Sequence, residues 1–522
     1  MMRTRLYADP ANRFVHRIVL DSCRRFPEKT AIVDSSCGRR LSYAQYGDLI
    51  ESLAHGLIAA GLKPGELVAI FLANSWEFCA AYHAITLAGA VPTLLNPTYR
   101  EREVRFQLEN SGAVFLITDA PFITGVDLSG LSNLRRVYTT RNPHTGTDAF
   151  DLLLRPVARH AFPSPASPNE VLAALPYSSG TTGLPKGVML SHFNLVANVF
   201  QLLGPHGAEI RQNDALLCFL PLYHIYGLNV GLNPVLTAGG TLVLMPRFNV
   251  PQLFALLTSE RVTAILVVPP ALNALAQAAE AGQFPADHCV RWVKSGAAPL
   301  APELPRRFTA LTNILVTQGY GMTEASPVTH IGFLEPDLYN PESIGQPVAQ
   351  TDCRVLDDND HEVAPGERGE LVMRGPQFML GYWKEPQATA AVMRDGWYWS
   401  GDVVSRDQND FYYVLDRRKE MIKYKGFPVA PAEVEAVLLE HPAVRDCGVV
   451  ARPDAAAGEI PCAFVVLRDG NPPSTALDEA LRAFVADRLT HYKQPREIRF
   501  VDAVPRTASG KILRRELRKV LT

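Results

Sequence analysis

"YSSGTTGLPKGV", residues 177–188, gathers four hydroxyl side chains (Ser178, Ser179, Thr181, Thr182), three glycines including Gly180, and Lys186 into twelve positions. So many donors with so little bulk suit a polyanion. Glycines let backbone N–H groups approach closely, hydroxyls donate further hydrogen bonds, and a lysine adds a compact positive charge. The stretch is not a Walker loop. Counted from Gly180, Pro185 stands where that motif needs its second glycine, and Gly187 where it needs a metal-binding hydroxyl. The flanks "VLAALPY" and "VMLSHFNLVANVF" have the apolar texture of structured elements, which favours a phosphate loop over a flexible linker.

Outward from this loop, residues 41–281 repeatedly pair a short apolar run with a helix-like segment. Examples are "LVAIFL" before "SWEFCAAYHAITLAGA", and "TAILVVP" before "ALNALAQAAEA". That alternation predicts α/β layers with largely parallel strands. Beyond Pro341 the texture changes to "DCRVLD", "GELVMRG" and "FYYVLDR" separated by polar turns, which predicts a smaller β-rich subdomain. After "DRRKEMIKYKGFPVAP" comes an αββα-like tail, and the roughly 105 residues past Asp416 suffice for a small domain of their own. The expected fold class is therefore α/β. Residues 1–416 form a large N-terminal domain of layered α/β subdomains plus the β-rich subdomain, and residues 417–522 a small α+β domain on a hinge. "FPSPASP" and "NPPSTALDE" are expected to be surface loops.

The chain has 522 residues, 47% of them hydrophobic and 20% charged, as in ordinary folded proteins. A net charge of -2 gives no bulk attraction to nucleic acid or to an anionic membrane. No apolar run approaches the ~20 residues of a membrane span, and the N-terminal Arg3 and Arg5 precede no signal-like run. Eight scattered cysteines without a C-x-x-C pair argue against a disulfide framework or zinc site and favour reduced thiols in the cytoplasm. Partners must therefore be inferred from sites.

Further segments carry chemistry. "QGYGMTEASPV" (318–328) sets Tyr320 between glycines, followed by Thr323 and Glu324: a ring able to stack on a base, beside a hydroxyl and a carboxylate suited to Mg²⁺. "WYWSGDVV" places Asp402 where a carboxylate can grip a ribose diol, and "RTASGKILRREL" places Lys511 after a glycine at the start of a helical run.

Together, in this order and over nearly the whole chain, these pieces resemble the adenylate-forming superfamily of acyl-CoA synthetases, aryl-CoA ligases, luciferases and peptide-synthetase adenylation domains. The resemblance implies ATP, Mg²⁺ and CoA as the small-molecule partners of a carboxylic acid. It implies that the opening stretch handles the ATP β- and γ-phosphates, and that Tyr320 and Gly321 meet adenine beside the "SGAAP" turn with Gly296, Ala297, Ala298 and Pro299. Thr323 would serve the α-phosphate, Glu324 the metal, and Asp402 with Arg417 the ribose. Lys511 would bridge the acyl carboxylate and α-phosphate. Asp416 and Lys419 match the hinge, and Lys423, Lys425, Gly426 and Phe427 would face CoA after the small domain turns, with Lys423 acting in thioester formation. Where many relatives carry Gln after this loop, the chain has Pro428, whose backbone cannot donate.

The acid's pocket is implied in the same way. "PLYHIYGLNV" would put His224 at the carboxylate end and Tyr226 and Val230 on the wall, with Lys294 at the mouth and Ala297, Gly321, Pro327 and Val328 completing the lining. No acidic residue occurs between Ala215 and Arg247, which argues against an α-amino acid, whose ammonium needs a counter-charge. Acetate-specific relatives carry Trp at the position of Gly321, so glycine there predicts a deeper pocket that an introduced indole would shorten without disturbing folding. Small linings favour a medium or long fatty acid, with a hydroxycinnamate-like acid as the alternative. A carrier-protein thiol supplied in trans, a luciferase-like oxygenase and a non-catalytic nucleotide-binding regulator remain as rival readings.

Overall fold

The structure is a computed structural model that describes residues 13–142, 144–163, 167–178, 185–417, 420–425, 427–454, 457–507 and 510–521. Helix α1 (Tyr43–Ala59) begins at Ser42, whose hydroxyl accepts the Gln45 N–H while the Gln45 side chain returns to the Ser42 N–H, a reciprocal cap. Strand β1 (Leu67–Phe71) is buried throughout, as expected of a strand covered on both faces. Helix α2 (Trp76–Leu87) is likewise buried at every residue. Strands β2 (Leu172–Ser178) and β3 (Lys186–Ser191) pair antiparallel, and helix α3 (His192–Leu203) follows β3 directly. The opening stretch therefore closes a hairpin that delivers the chain into a helix.

Strands β4 (Ala264–Val267), β5 (Trp292–Ser295) and β6 (Leu315–Gly321) lie side by side and parallel, and β7 (Val328–Ile331) adds antiparallel to β6. Among the described residues they belong to a nine-stranded sheet, while β1, β2 and β3 belong to an eight-stranded one. One apolar cluster joins the two sheets and their helices, with Ile70 and Ala174 from one sheet, Ile265 and Leu217 from the other, and Ile50, Ile85 and Val199 from α1, α2 and α3. The Pro pair 269–270, which interrupts an apolar run, starts the helix Pro269–Glu280, where a missing N–H costs nothing.

The expected β-rich subdomain is an antiparallel sheet in which β8 (Trp397–Arg406) pairs with β9 (Tyr412–Arg417). The small C-terminal domain is richer than an αββα unit. Its hairpin of β10 (Ile422–Tyr424) and β11 (Phe427–Val429) precedes α4 (Pro431–Glu440), the long antiparallel pair β12 (Val444–Asp454) and β13 (Gly458–Leu467), α5 (Thr475–Ala486), β14 (Glu497–Phe500) and α6 (Arg514–Lys519). Strand β14 pairs parallel to β13. "NPPSTALDE" is only half a loop: Ser474 accepts the Leu477 N–H and caps α5, so the helix begins inside the segment expected to be irregular. Among the described residues no helix is long and apolar enough to cross a membrane.

Candidate active site

The hairpin of β2 and β3 places Ser178 directly opposite Lys186. Ser179, Gly180, Thr181 and Thr182 lie outside the described residues. Strand pairing also sets Tyr382 opposite Val188, and the Lys186 ammonium stands 5.4 Å from the centre of the Tyr382 ring. The Tyr382 hydroxyl donates to Glu324 Oε1 at 2.8 Å. One ring thus joins the base of the β2–β3 hairpin to Glu324, which follows Thr323 in a short 3₁₀ turn after β6. Tyr382 is absent from the sequence-based expectations because nothing in "GYW" marks it.

Glu324 is buried and has no Lys or Arg partner within ion-pair distance among the described residues. A buried carboxylate without a cation is costly, so the position favours binding one. Among the described residues no group of three His, Cys, Asp or Glu could hold a metal alone. The donor set fits Mg²⁺ shared between Glu324 and phosphate oxygens, since this ion is commonly held by one or two carboxylates with the remaining positions filled by phosphate and water.

Asp402 on β8 is the register partner of Arg417 on β9. Arg417 Nε lies 3.1 Å from Asp402 Oδ1, and the Tyr320 hydroxyl, at the end of β6, donates to Oδ2. The Asp402 N–H donates to Ser400 Oγ at 3.1 Å. Burial, then the Asp402 charge, pushes the Tyr320 hydroxyl pKa well above its ordinary value, so it stays a donor. Each carboxylate oxygen keeps a second lone pair for a ribose hydroxyl. The structure thereby brings together Tyr320, Asp402 and Arg417.

Lys511 reaches the same place from the small domain. Its loop is closed by the Lys511 N–H donating to Thr507 Oγ1 at 3.0 Å and the Thr507 N–H donating to the Lys511 carbonyl at 2.8 Å. Gly510, at φ +84°, packs where a Cβ would sit 3.3 Å from Pro270 Cδ and 3.5 Å from Val268 Cβ, just past β4. Burial, then the Arg417 guanidinium, lowers the Lys511 ammonium to about 8, while Glu420 and Asp402 pull it back up. Lys423 and Lys425 are exposed, and Phe427, 55% exposed, stacks on Tyr492 at 5.1 Å. This arrangement therefore brings in Lys511 and leaves Lys423, Lys425 and Phe427 exposed. Gly426 and Lys419 lie outside the described residues; the backbone of Pro428 is in register with Lys423. Asp416 accepts the Arg417 N–H at 2.6 Å and, at the start of α4, the Ala432 N–H at 3.2 Å. Burial raises its carboxyl to about 7 despite the opposing Arg514 charge.

The π-helical turn Gly227–Leu232 carries buried Val230, and such turns recur at functional sites. The Tyr226 hydroxyl donates to the Lys294 carbonyl at 3.1 Å, and its ring covers Gly296, where a Cβ would lie 3.2 Å from Tyr226 Cζ. Ala297 takes a left-handed φ of +70°, turning the partly open segment Ala297, Ala298 and Pro299. His224 Nδ1 accepts the Tyr226 N–H at 3.2 Å, which leaves the proton on Nε2, and burial lowers its pKa to about 4. A neutral donor results. Pro327 and Val328 are buried at the start of β7.

Two expectations need correction. Lys294 is not at a pocket mouth: it is 3% exposed, and Nζ donates to Thr317 Oγ1 and the Gly332 carbonyl, both at 3.0 Å. Burial lowers its ammonium to about 8. Gly321 is exposed, but a Cβ there would overlap the Pro327 carbonyl oxygen and come within 2.8 Å of its carbon. Its side-chain direction is filled by backbone, so an indole at this position disturbs the strand pair before it can shorten any pocket.

A family model described as AMP-binding enzyme matches residues 19–383, and the model for the AMP-binding enzyme C-terminal domain matches residues 433–511. The chain is similar to 4-coumarate–CoA ligase 5 of Oryza sativa subsp. japonica, with 37% identity over 100% of the chain and 97% of the relative. It is 36% identical to 4-coumarate–CoA ligase 1 of Petroselinum crispum over 98% of the chain and 94% of the relative. Among solved structures, the anthranilate CoA ligase AuaEII in complex with anthranoyl-AMP matches with a TM-score of 0.89 and 25% identity, covering 98% of each chain. A benzoate CoA ligase from Burkholderia xenovorans LB400 matches with a TM-score of 0.87 and 28% identity, covering 97% of this chain and 100% of that one. The chain belongs to the AMP-binding enzyme family and is an adenylate-forming acid–CoA ligase.

Proposed function

We propose that this protein joins a hydroxycinnamate-type aryl acid to CoA at the expense of ATP, releasing AMP and pyrophosphate. The observation that carries the adenylating step is the packing of the Lys511 loop, at Gly510, against Pro270 and Val268 just past β4, within electrostatic reach of the Asp402–Arg417 pair. In that step the acid's carboxylate oxygen attacks the α-phosphorus, and the bond to pyrophosphate breaks. Two anions meet, so positive charge must be fixed where negative charge develops. The Lys511 ammonium supplies it between carboxylate and α-phosphate, while Lys186 and the hydroxyls of the hairpin hold the departing phosphates. Mg²⁺, when bound at Glu324, neutralises phosphate charge. Tyr320 stacks on adenine, Asp402 and Arg417 hold the ribose, and His224 offers its Nε2–H to the acyl carboxylate.

The second step needs another group at the same carbonyl. With residues 1–416 as the fixed domain and 417–522 turning at Asp416 and Lys419, the exposed Lys423–Phe427 hairpin swings in as Lys511 leaves. The CoA sulfur then attacks the acyl carbonyl and AMP departs. The aryl acid is favoured by the full-length similarity to 4-coumarate–CoA ligases. A medium or long fatty acid is the second reading, supported by the small apolar Val230, Pro327 and Val328. Eight free thiols suit a reducing cytoplasm.

The test is pyrophosphate release with ATP and coumarate, cinnamate, benzoate, hexanoate, dodecanoate or acetate, with and without CoA. The aryl reading expects the highest kcat/KM with coumarate or cinnamate and a CoA thioester as product. Preference for dodecanoate transfers the assignment to fatty acids. Acyl-AMP that accumulates unchanged with CoA present points to a carrier-protein acceptor, and no turnover with any acid points to a regulator.

A further inference from the structure

We propose that Asn198 is a positioning residue for acid selectivity, a buried amide that holds the wall segment 326–328, tied at its other end by Asn229, against the helix that follows the β2–β3 hairpin. The proposal rests on the assignment of Pro327 and Val328 to the acid's pocket. Strand β7 begins at Val328, and Gln346–Pro347 pairs with it only at His330 and Ile331. The outward edge of Val328 therefore lacks a strand. Asn198 on α3 takes that place: Oδ1 accepts the Val328 N–H at 3.1 Å and Nδ2 donates to the Val328 carbonyl at 2.8 Å. A primary amide is the neutral side chain that offers one face to donate and one to accept, as a peptide group does. Nδ2 also donates to Gln201 Oε1 at 2.9 Å on the same helix.

The other end of the segment is held from the π-helical turn. Asn229 Nδ2 donates to the Ser326 carbonyl at 2.6 Å and to the Leu195 carbonyl of α3 at 3.2 Å. Its Oδ1 accepts Asn233 Nδ2 at 2.8 Å, and Asn233 Oδ1 then faces His83 Nε2 at 3.1 Å. Because Asn233 spends its N–H on Asn229, its oxygen requires a proton on His83 Nε2, so Nδ1 accepts the Tyr46 hydroxyl at 2.7 Å. Asn198, Asn229, Asn233, His83 and Tyr46 are all fully buried. Burial, offset in part by the Asn233 bond, lowers His83 to about 4, so the chain is neutral near pH 7.

Wall, π-helical turn and α3 thus form one bonded unit whose helix begins where the phosphate strand ends. A loosened wall changes what fits beside the acid while the nucleotide contacts at Asp402, Arg417 and Tyr320 stay in place. The decisive variants are Asn198→Ala, Asn198→Asp and Val328→Ala, each assayed for KM of ATP and for kcat/KM with an aryl and an alkyl acid. Asn198→Ala is expected to raise KM for the preferred acid about tenfold and to narrow the aryl/alkyl ratio by a similar factor, with KM for ATP changed less than about twofold. Asn198→Asp keeps the acceptor at Val328 and regains the donor only when protonated, so its selectivity should return towards wild type as pH falls. This pH response, corrected for wild type, distinguishes the clamp from a general loss of stability and serves if Asn198→Ala does not fold. The clamp is overturned if Val328→Ala changes selectivity while both Asn198 variants leave it unchanged at every pH. If neither position affects selectivity, the pocket assignment has failed and takes the clamp with it.

Discussion

Gly321→Ala should destabilise the protein rather than retune it. The added Cβ would overlap the Pro327 carbonyl oxygen and lie 2.8 Å from the Pro327 carbonyl carbon and 3.1 Å from Val328 Cα. These are backbone atoms of the paired strand and cannot rotate aside as a flexible side chain would. Overpacking of this kind costs about 1–3 kcal/mol. Relief by separating the strands also weakens the Met322 N–H bond to the Pro327 carbonyl, 3.0 Å long, adding about 1 kcal/mol. The expected loss is about 2–4 kcal/mol, a large part of the 5–15 kcal/mol that usually stabilises a domain. Gly319→Ala is the matched control, because its Cβ meets nothing nearer than the His330 carbonyl at 3.7 Å. Urea unfolding followed by tryptophan fluorescence, run beside pyrophosphate release over the acid panel, reads both consequences. The variant should unfold at lower urea than the control and lose adenylation with every acid, since only Met322 separates Gly321 from Thr323 and Glu324. A variant as stable as the control that merely prefers shorter acids would show that the position faces the pocket.

Lys511→Ala should lower acyl-AMP formation by ~10²–10³ while thioester formation from supplied acyl-AMP is retained; equal losses in both assays contradict domain alternation. Because the working form of Lys511 is the ammonium and its pKa is lowered from 10.5 to about 8, adenylation should decline as pH rises through 8. A profile flat to pH 10 excludes that assignment. Lys423→Ala should slow thioester formation more than adenylation, and the reverse order removes the hairpin from the second step. Asp416, raised from 3.8 to about 7, binds its proton more tightly when folded. Its contribution is present below pH 3.8 and lost as pH rises through 7. The difference in unfolding free energy between wild type and Asp416→Asn should change across that window, and a constant difference refutes the linkage.

Tyr320, Asp402 and Lys511 drew notice because each sits in a short stretch whose composition is odd for packing, whereas Arg417 was set beside Asp402 only by the family resemblance; the structure brings Tyr320, Asp402 and Arg417 into contact. The wall clamp was not, since the Asn198 bonds to Val328 span 130 residues and the Asn229 bond to Ser326 spans 97, and an asparagine in a helix has no local mark of what it will meet. Gly321 shows a second limit: glycine announces that space is short without saying which neighbour takes it. The layered α/β architecture followed from short apolar runs that alternate with helix-like segments. The strands Ile422–Tyr424 and Phe427–Val429, three residues each, were too short for periodicity, and the Pro pair before Ser474 disguised the start of a helix.

Arg417 is the last residue of its strand, one position past the carboxylate that caps the first helix of the small domain. In the proposed mechanism, a nucleotide held by the Asp402–Arg417 pair would anchor the chain at the fulcrum and leave the lever arm beyond it free. Sugar recognition there would hold AMP near the axis of the proposed turn, where a swing that carries Lys511 through a wide arc would displace the ribose least.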